Sequence, residues 1–556
     1  MAKIEFVALG GLDEYGKACY LLIIDENIFI INCGILIPST VSSGIQAFIP
    51  DFSYLWENKQ RIKGVFIGTP YDHNIGALNY LIKELNVPIY TNELNAQVIK
   101  SYFPKTNFNF SLVHELKPIT IANVNITPFK ITNTFGGSFG FIFGTDQHNV
   151  IYIDDAILCT SRMSFLANDL LTMGKLVDNK KTNILITATG KIEERSEFSI
   201  TSGSSVGAYI SNLVYSAPGR FIVALYSWEE YKLLQLLKAS NEHHRPIVFY
   251  NQATADIINA FDQQKLITRN KYDVVDAKNL GKYDDAIIVI MNAKHEMFEQ
   301  LHQIITNNDP NLQFRPNDTF FFASQTINGL ERKEANLFND LSLIDIHQAI
   351  KIDKKYHDLR PAAEDHKYIT SLVNPQFIIP CSGLYMDFIK YKNIVSRIVV
   401  NSTDKQQKVL IIPNGLFLEF NDRVVKSNVK PVLDLRPSPI NLQGEIEFFD
   451  SLIRESTQMQ ANGIMLVNFL IDKKLKKITK TAYDLLGVID LDGPAKEALK
   501  QIETDAENNA NKLLDDYDRP EFDIKEFKNT IRKKVSKLMH GRFEKDPIVV
   551  VSTLFL

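Results

Sequence analysis

A mixed α/β fold is predicted for this 556-residue chain from three observations. Apolar runs of strand length recur throughout it, at 4–9, 220–226 and 286–290 among others. Several lead through a polar turn with Gly or Pro into a pattern of helical period. The clearest case is the stretch from Gly64 to Leu78, where 65–67 reads as a strand, Gly68 and Pro70 break it, and a helix restarts near Ile75 and runs to Ile82. In α/β folds ligands gather at the carboxyl ends of strands. The turn Thr69-Pro70-Tyr71-Asp72-His73-Asn74 is therefore the first candidate site.

The length exceeds what one core supports, so two to four domains are expected, as about 100–200 residues make one domain. Hydrophobic residues at 45% and charged residues at 23% are ordinary for a soluble globular protein. A net charge of −4 argues against a uniformly basic nucleic-acid binder but leaves room for a local basic channel. Cys19, Cys33, Cys159 and Cys381 lie far apart, which suits a reducing cytoplasm and offers no cysteine zinc site. The N-terminal segment has no apolar core of a signal peptide. No run approaches the roughly 18–20 apolar residues of a membrane span, so no membrane partner is expected.

In chain order, residues 1–205 alternate strands and helices. A strand at 4–9 precedes Gly10-Gly11, and 19–24 with 28–33 reads as a hairpin around Asp25-Glu26-Asn27. Asp51 after Pro50 opens a short helix as a turn residue. Further strands are expected at 88–90, 124–129, 139–143 and 150–153. From 206 to 360 the units lengthen, and strands at 220–226, 246–250, 286–290 and 319–323 with intervening helices read as a parallel βαβ series. Residues 361–445 bring strands at 375–383 and 409–413, then a linker with Pro437 and Pro439. Residues 446–556 read as a small α/β domain, with strands at 464–469, 486–489 and 548–556 and helices at about 494–517 and 521–540.

The frame around Thr69 resembles the ribonuclease J family of metallo-β-lactamase ribonucleases, whose motif there is Thr-His-x-His-x-Asp-His followed by Ile-Gly-Gly-Leu and a helix. The run from Ile49 to Leu55 is also similar. The resemblance covers essentially the whole chain. It implies a metallo-β-lactamase αββα sandwich in two parts (1–205 and 361–445), an inserted β-CASP domain (206–360) that clamps RNA, and a C-terminal α/β domain (446–556) linked to oligomerisation. It implies a di-zinc nuclease of RNA processing, rRNA maturation and mRNA decay.

The ligands that chemistry needs are largely replaced. A di-zinc site needs imidazoles and carboxylates around a bridging water whose pKa falls to about 7. One histidine, His73, precedes residue 110, and His114 and His148 read as loop residues. On the family's pattern the ligand positions fall on Asn32, Thr69, Tyr71, His73, Asn74, Asn133, Asp155 and Ser382. Asp155 keeps a ligating group, and Asp72, His73, Asp154 and Glu14 could add to a weak oxygen-rich site for Mg2+ or Mn2+ or could be caps and turn carboxylates. The acidic β-CASP motif falls on Thr187-Ala188-Thr189-Gly190, without its acid. The glycine- and serine-rich run falls near Asn292. The RNA-gripping histidine run falls near Tyr356-His357-Asp358-Leu359-Arg360. Glu229-Glu230, after Trp228, would repel phosphate in the usual RNA groove. Basic runs at 473–480 and 532–537 read either as RNA or ribosome contacts or as solvated faces.

The chain thus resembles a degenerate paralogue, of the kind that forms this family's second, weakly active or inactive subunit. No cofactor is expected, or Zn2+ or Mn2+/Mg2+ if it is active. The expected partners are an active paralogue in a hetero-oligomer or a second copy, with RNA as a further candidate. Two alternatives stay open. One is a metal-dependent 5′-exonuclease or endonuclease with a rearranged site, and the other is an RNA-binding scaffold without a nuclease partner.

Overall fold

The structure, a computed structural model, describes residues 2–556 except 39–44, 134, 159–168, 178–180, 191, 193–202, 227–228, 264, 266, 293, 328–329, 354–355, 357–360, 397–406, 422–423, 428, 442–443, 445, 447–457, 460, 473, 489–493 and 516–522. The chain divides into two compact units, residues 1–39 with 47–438, and residues 40–46 with 439–556.

Two sheets stack at the heart of the first unit. The first has eight strands and is built on Ile4–Gly10, Cys19–Ile24, Asn27–Ile31 and Ile62–Phe66. The second has seven and includes Val124–Lys130, Phe139–Gly144, His148–Ile153, Thr182–Ala188 and Phe377–Cys381. Every residue of Ile4–Gly10, Cys19–Ile24 and His148–Ile153 is buried. That is the mark of strands covered on both faces, where alternation disappears. Between the sheets lies an aromatic-rich layer in which Phe29 meets Phe66 and Phe143, and Tyr20 meets Tyr152. Helices Ala363–Val373 and Tyr385–Val395 pack on the outer face of the second sheet through Ile369, Val373, Tyr391 and Val395. This is an αββα sandwich. Phe377–Cys381 pairs in parallel with Thr182–Ala188, and Leu418–Asn421 joins Ile4–Gly10, so the chain after residue 361 contributes to both sheets.

The residues between form a six-stranded, wholly parallel sheet. Its order is Val274–Val275, Ile247–Phe249, Ile287–Asn292, Phe221–Tyr226, Thr319–Phe322, Gln348–Lys351. Helices bury both of its faces, as the continuous apolar runs require. The second unit carries a three-stranded sheet, Lys477–Leu486, Ile464–Asp472 and Ile548–Phe555, with helices Pro494–Leu514 and Ile524–Phe543 closing one face. Among the described residues no helix is long and apolar enough to cross a membrane.

Some expected bounds are corrected. The strand expected at 486–489 lies earlier, at Lys477–Leu486, because Gly487 turns the chain with φ +66°. The strand expected at 409–413 shrinks to Lys408–Val409. The helix expected from Ile75 begins as a turn at Asp72–Ile75 and resumes at Leu78–Glu84. His148 is no loop residue. It opens a strand in the sandwich and is buried.

Candidate functional site

Five strand ends converge on the candidate site. Asn27–Ile31 delivers Asn32, Ile62–Phe66 delivers the Thr69–Asn74 turn, and Val124–Lys130 delivers Asn133. His148–Ile153 delivers Asp154 and Asp155, and Phe377–Cys381 delivers Ser382. Asn32 (φ 64°) and Ser382 (φ 53°) turn the chain through the left-handed region, which Asn tolerates better than most residues. The loops are stitched by backbone. Cys33 N–H donates to Asn74 O (2.6 Å), Ile35 N–H to Asp72 O (3.1 Å) and Ala18 N–H to His73 O (3.0 Å). A Cβ at Gly34 would lie 1.6 Å from His73 O, so only glycine permits this approach.

The side chains then lock to one another. Asn32 Nδ2 donates to Asn74 Oδ1 (2.9 Å) and to the Tyr152 hydroxyl (2.6 Å). Asn74 Nδ2 donates to Asp154 Oδ2 (2.6 Å) and to Thr69 O (3.2 Å). Asn133 Nδ2 donates to Asp155 O (3.0 Å) and Thr69 Oγ1 (3.4 Å), while its Oδ1 accepts from Phe135 N–H and the Ser138 hydroxyl. The Ser382 hydroxyl meets that of Tyr20 at 2.9 Å. Tyr71 stacks on His73 with ring centres 5.1 Å apart, and the Tyr102 hydroxyl donates to Asp72. Asn32, Thr69, Asn74, Asn133 and Asp154 are all buried.

The Asp154 carboxylate joins this network through Asn74. Asp155 contributes its carbonyl to Asn133. Burial pushes the Asp154 carboxyl up to about 7, the neighbouring Asp155 charge adds to this, and the hydrogen bond from Asn74 opposes it. The other carboxylates are occupied elsewhere. Glu14 accepts from Gly11 N–H (2.7 Å) and pairs with Lys17 (3.0 Å). Asp51 accepts from the backbone and hydroxyl of Ser53 and from Arg436 N–H. Burial would raise it, but those donors outweigh burial and hold it below the usual range.

A pair of zinc or manganese ions does not fit these residues. Metal ligands offer lone pairs, whereas Asn74, at a ligand position, presents N–H groups to Asp154, the carboxylate beside the retained Asp155 position. Among the described residues no group of three or more His, Cys, Asp or Glu side chains is placed to hold a metal. These side chains hold five strand ends together through polar contacts.

The RNA-groove expectations fare unevenly. Glu229 and Glu230 are not a repelling pair. Glu229 accepts from Tyr226 N–H and the Ser324 hydroxyl and pairs with Lys232 (2.6 Å), all within the interior. Glu230 is fully buried with no hydrogen-bond partner for either oxygen among the described residues, and burial holds it well above the usual carboxylate range. Glu229 is paired with a lysine, and both carboxyls are interior rather than turned to a groove. Tyr356 stacks on Tyr209 at 4.2 Å. His357, Asp358, Leu359 and Arg360 lie outside the described residues. Asn292 joins an amide cluster with Asn251 and Gln300. Thr189 caps Cys381 O through its N–H (2.9 Å). Sequence reasoning missed Tyr152, Tyr20, Tyr102 and Ser138, the partners of the replaced positions. The available signal was a polar atom on an otherwise aliphatic, fully buried strand, as at Tyr152.

Comparison with known proteins adds the following. Residues 218–341 match the family described as "Ribonuclease J, beta-CASP domain". An uncharacterized protein of Mycoplasma genitalium is 32% identical over 547 residues, covering 97% of this chain and 94% of that one. Ribonuclease J 2 of Streptococcus pyogenes is 23% identical over 566 residues, covering 99% of each. Ribonuclease J2 of Bacillus subtilis is 22% identical over 567, covering 99% of this chain and 98% of that one. A crystal structure of a protein of unknown function from Enterococcus faecalis shares the fold, with a TM-score of 0.52 and 12% identity over 75% of this chain and all of that one.

Proposed function

Since the chain belongs to the ribonuclease J family, we propose that it acts in RNA processing and decay as a non-catalytic subunit paired with an active paralogue. The observation that carries this reading is the Asn74 amide on Asp154 Oδ2, with Asn32 behind it. Function resides in the site rather than the fold. In this site the groups that would generate a nucleophile are replaced by amides and hydroxyls that hydrogen-bond one another, while Asn32 Oδ1 and Asp154 Oδ1 are buried with no hydrogen-bond partner among the described residues. The buried strands and the glycine approach at Gly34 are what a retained scaffold requires. The cytoplasm is the compartment this proposal implies.

The test is metal content per chain by elemental analysis, joined to cleavage of a 5′-monophosphorylated RNA with Zn2+, Mn2+ or Mg2+ supplied. The expected result is essentially no bound metal, no cleavage, and a paralogous ribonuclease J subunit recovered with the protein from its own cells. About two metals per chain, with cleavage abolished by Asp155→Ala, would instead establish an active enzyme with a rebuilt site. Absence of any nuclease partner would leave an RNA-binding scaffold.

A further inference from the structure

The C-terminal unit carries a concentration of charge that neither its packing nor the sandwich site uses. Helix Ile524–Phe543 buries one seam, Phe527, Ile531, Val535 and Met539, at i, i+4 spacing. Away from that seam Lys525, Arg532, Lys533 and Lys537 are exposed, with Lys528 half-buried. Residues 525–545 hold eight Lys and Arg against two Glu, a net +6 in a chain of net −4, so the remainder is net −10.

Packing does not ask for this. Like charges at i, i+4 destabilise a helix, and Lys528 with Arg532 and Lys533 with Lys537 are so placed. Solubility does not ask for it either, since a surface serving solubility alone intersperses the two signs. The neighbouring helix Pro494–Leu514 does that, with three Lys among four acidic residues. Among the described residues Lys528, Arg532, Lys533 and Lys537 have no ion-pair or hydrogen-bond partner. From Arg532 to Lys537 the helix advances about 7.5 Å at 1.5 Å per residue, and Arg532, Lys533 and Lys537 lie within an arc of about 140° at 3.6 residues per turn. That is the length of about two nucleotides at 3.4 Å each. No aromatic side chain is exposed on this face to stack with a base.

We propose that the outer face of helix Ile524–Phe543 is a binding site for the phosphate backbone of RNA, sequence-independent and carried by Arg532, Lys533 and Lys537. It is distinct from the sandwich site and does not depend on that site's being silent. Phosphate contacts of this kind position RNA without reading it, which suits a subunit that holds substrate for another.

The test uses the full chain and a fluorescently labelled single-stranded RNA of mixed sequence, followed by anisotropy from about 50 to 200 mM salt. The triple variant Arg532→Glu, Lys533→Glu, Lys537→Glu is expected to weaken binding about tenfold or more. It should also flatten the slope of log K against log salt by about 2, at about 0.7 per lost phosphate contact. The same three positions changed to Gln should fall between it and wild type, and they decide the matter if the Glu variant loses its circular dichroism. Lys496→Glu, Lys500→Glu, Lys512→Glu on the mixed helix should bind as wild type. The proposal is overturned if the Arg532 series binds like wild type or if the mixed-helix series weakens equally. It is also overturned if the protein takes up anionic lipid vesicles and not RNA. Cleavage of the probe on adding Mn2+ would count against the non-catalytic reading while leaving the slope comparison intact.

Discussion

Among single residues, Asn74 is the pivot. Its amide gives one hydrogen to Asp154 and another to Thr69 O, and its oxygen takes one from Asn32. Removing one partner of a buried polar set leaves the others unsatisfied, at about 1–3 kcal/mol per stranded group. Asn74→Ala removes one donor from Asp154 and one acceptor from Asn32, which keeps the Tyr152 hydroxyl, so a loss of about 1–3 kcal/mol is expected. The measurement is the urea midpoint at constant m-value, and an unchanged midpoint would show that the network bears no structural weight. A further residue-scale point concerns the adjacent aspartates. Strand His148–Ile153 is buried at every position, so it carries no alternation from which the inward-facing aspartate could be counted. The replaced frame was legible in the sequence, while the place of Asp154 in the network needed the sheet's geometry.

Elements made of continuous apolar runs were the most legible. The parallel strands at Phe221–Tyr226, Ile287–Asn292 and Thr319–Phe322 stand close to where their composition put them. Their ends were less so, because hydrogen bonding rather than hydrophobicity decides where a strand stops, as at Lys408–Val409 and at Gly487. Burial of a charged residue inside a helix was not legible at all. Glu230 in helix Glu230–Glu242 looked like a surface acid and proves to be interior. Its carboxyl is held well above the ordinary 4.5 by burial first, with the Glu229 charge also raising it. The sign follows from linkage. Below about pH 4.5 both folded and unfolded states hold the proton, and the group has no pH-dependent cost. As pH rises beyond that, the unfolded chain ionises and the native one does not, so stability falls up to the folded-state pKa. Glu230→Gln mimics the neutral acid at every pH. It should match wild type near pH 4 and exceed its Tm at pH 8, with the gap widening between. A gap independent of pH would mean that Glu230 is ionised in the native state.

For the whole molecule, what matters is that the ligand positions changed as a set while the scaffold around them stayed closed. A site that had lost one imidazole could recruit a neighbouring group. Here the Asn32, Asn74, Asn133 and Ser382 side chains each have hydrogen-bond partners within the sandwich, and those contacts fill the space that metals would need. The consequence is thermodynamic and can be read on the intact chain. A metal that binds only the native state stabilises it by RT ln(1 + [L]/Kd), about 2.7 kcal/mol at a hundredfold excess over Kd, which is a shift of a few degrees. Zn2+, Mn2+ and Mg2+ should each leave the Tm of the metal-stripped protein unchanged at concentrations that saturate an active ribonuclease J assayed beside it. A rise of several degrees with Mn2+ or Zn2+, lost in Asp154→Asn, would mean that the network opens to admit metal, and the non-catalytic reading would fall. A flat response would agree with the non-catalytic reading, on which this chain holds a partner and, through the basic helix, RNA.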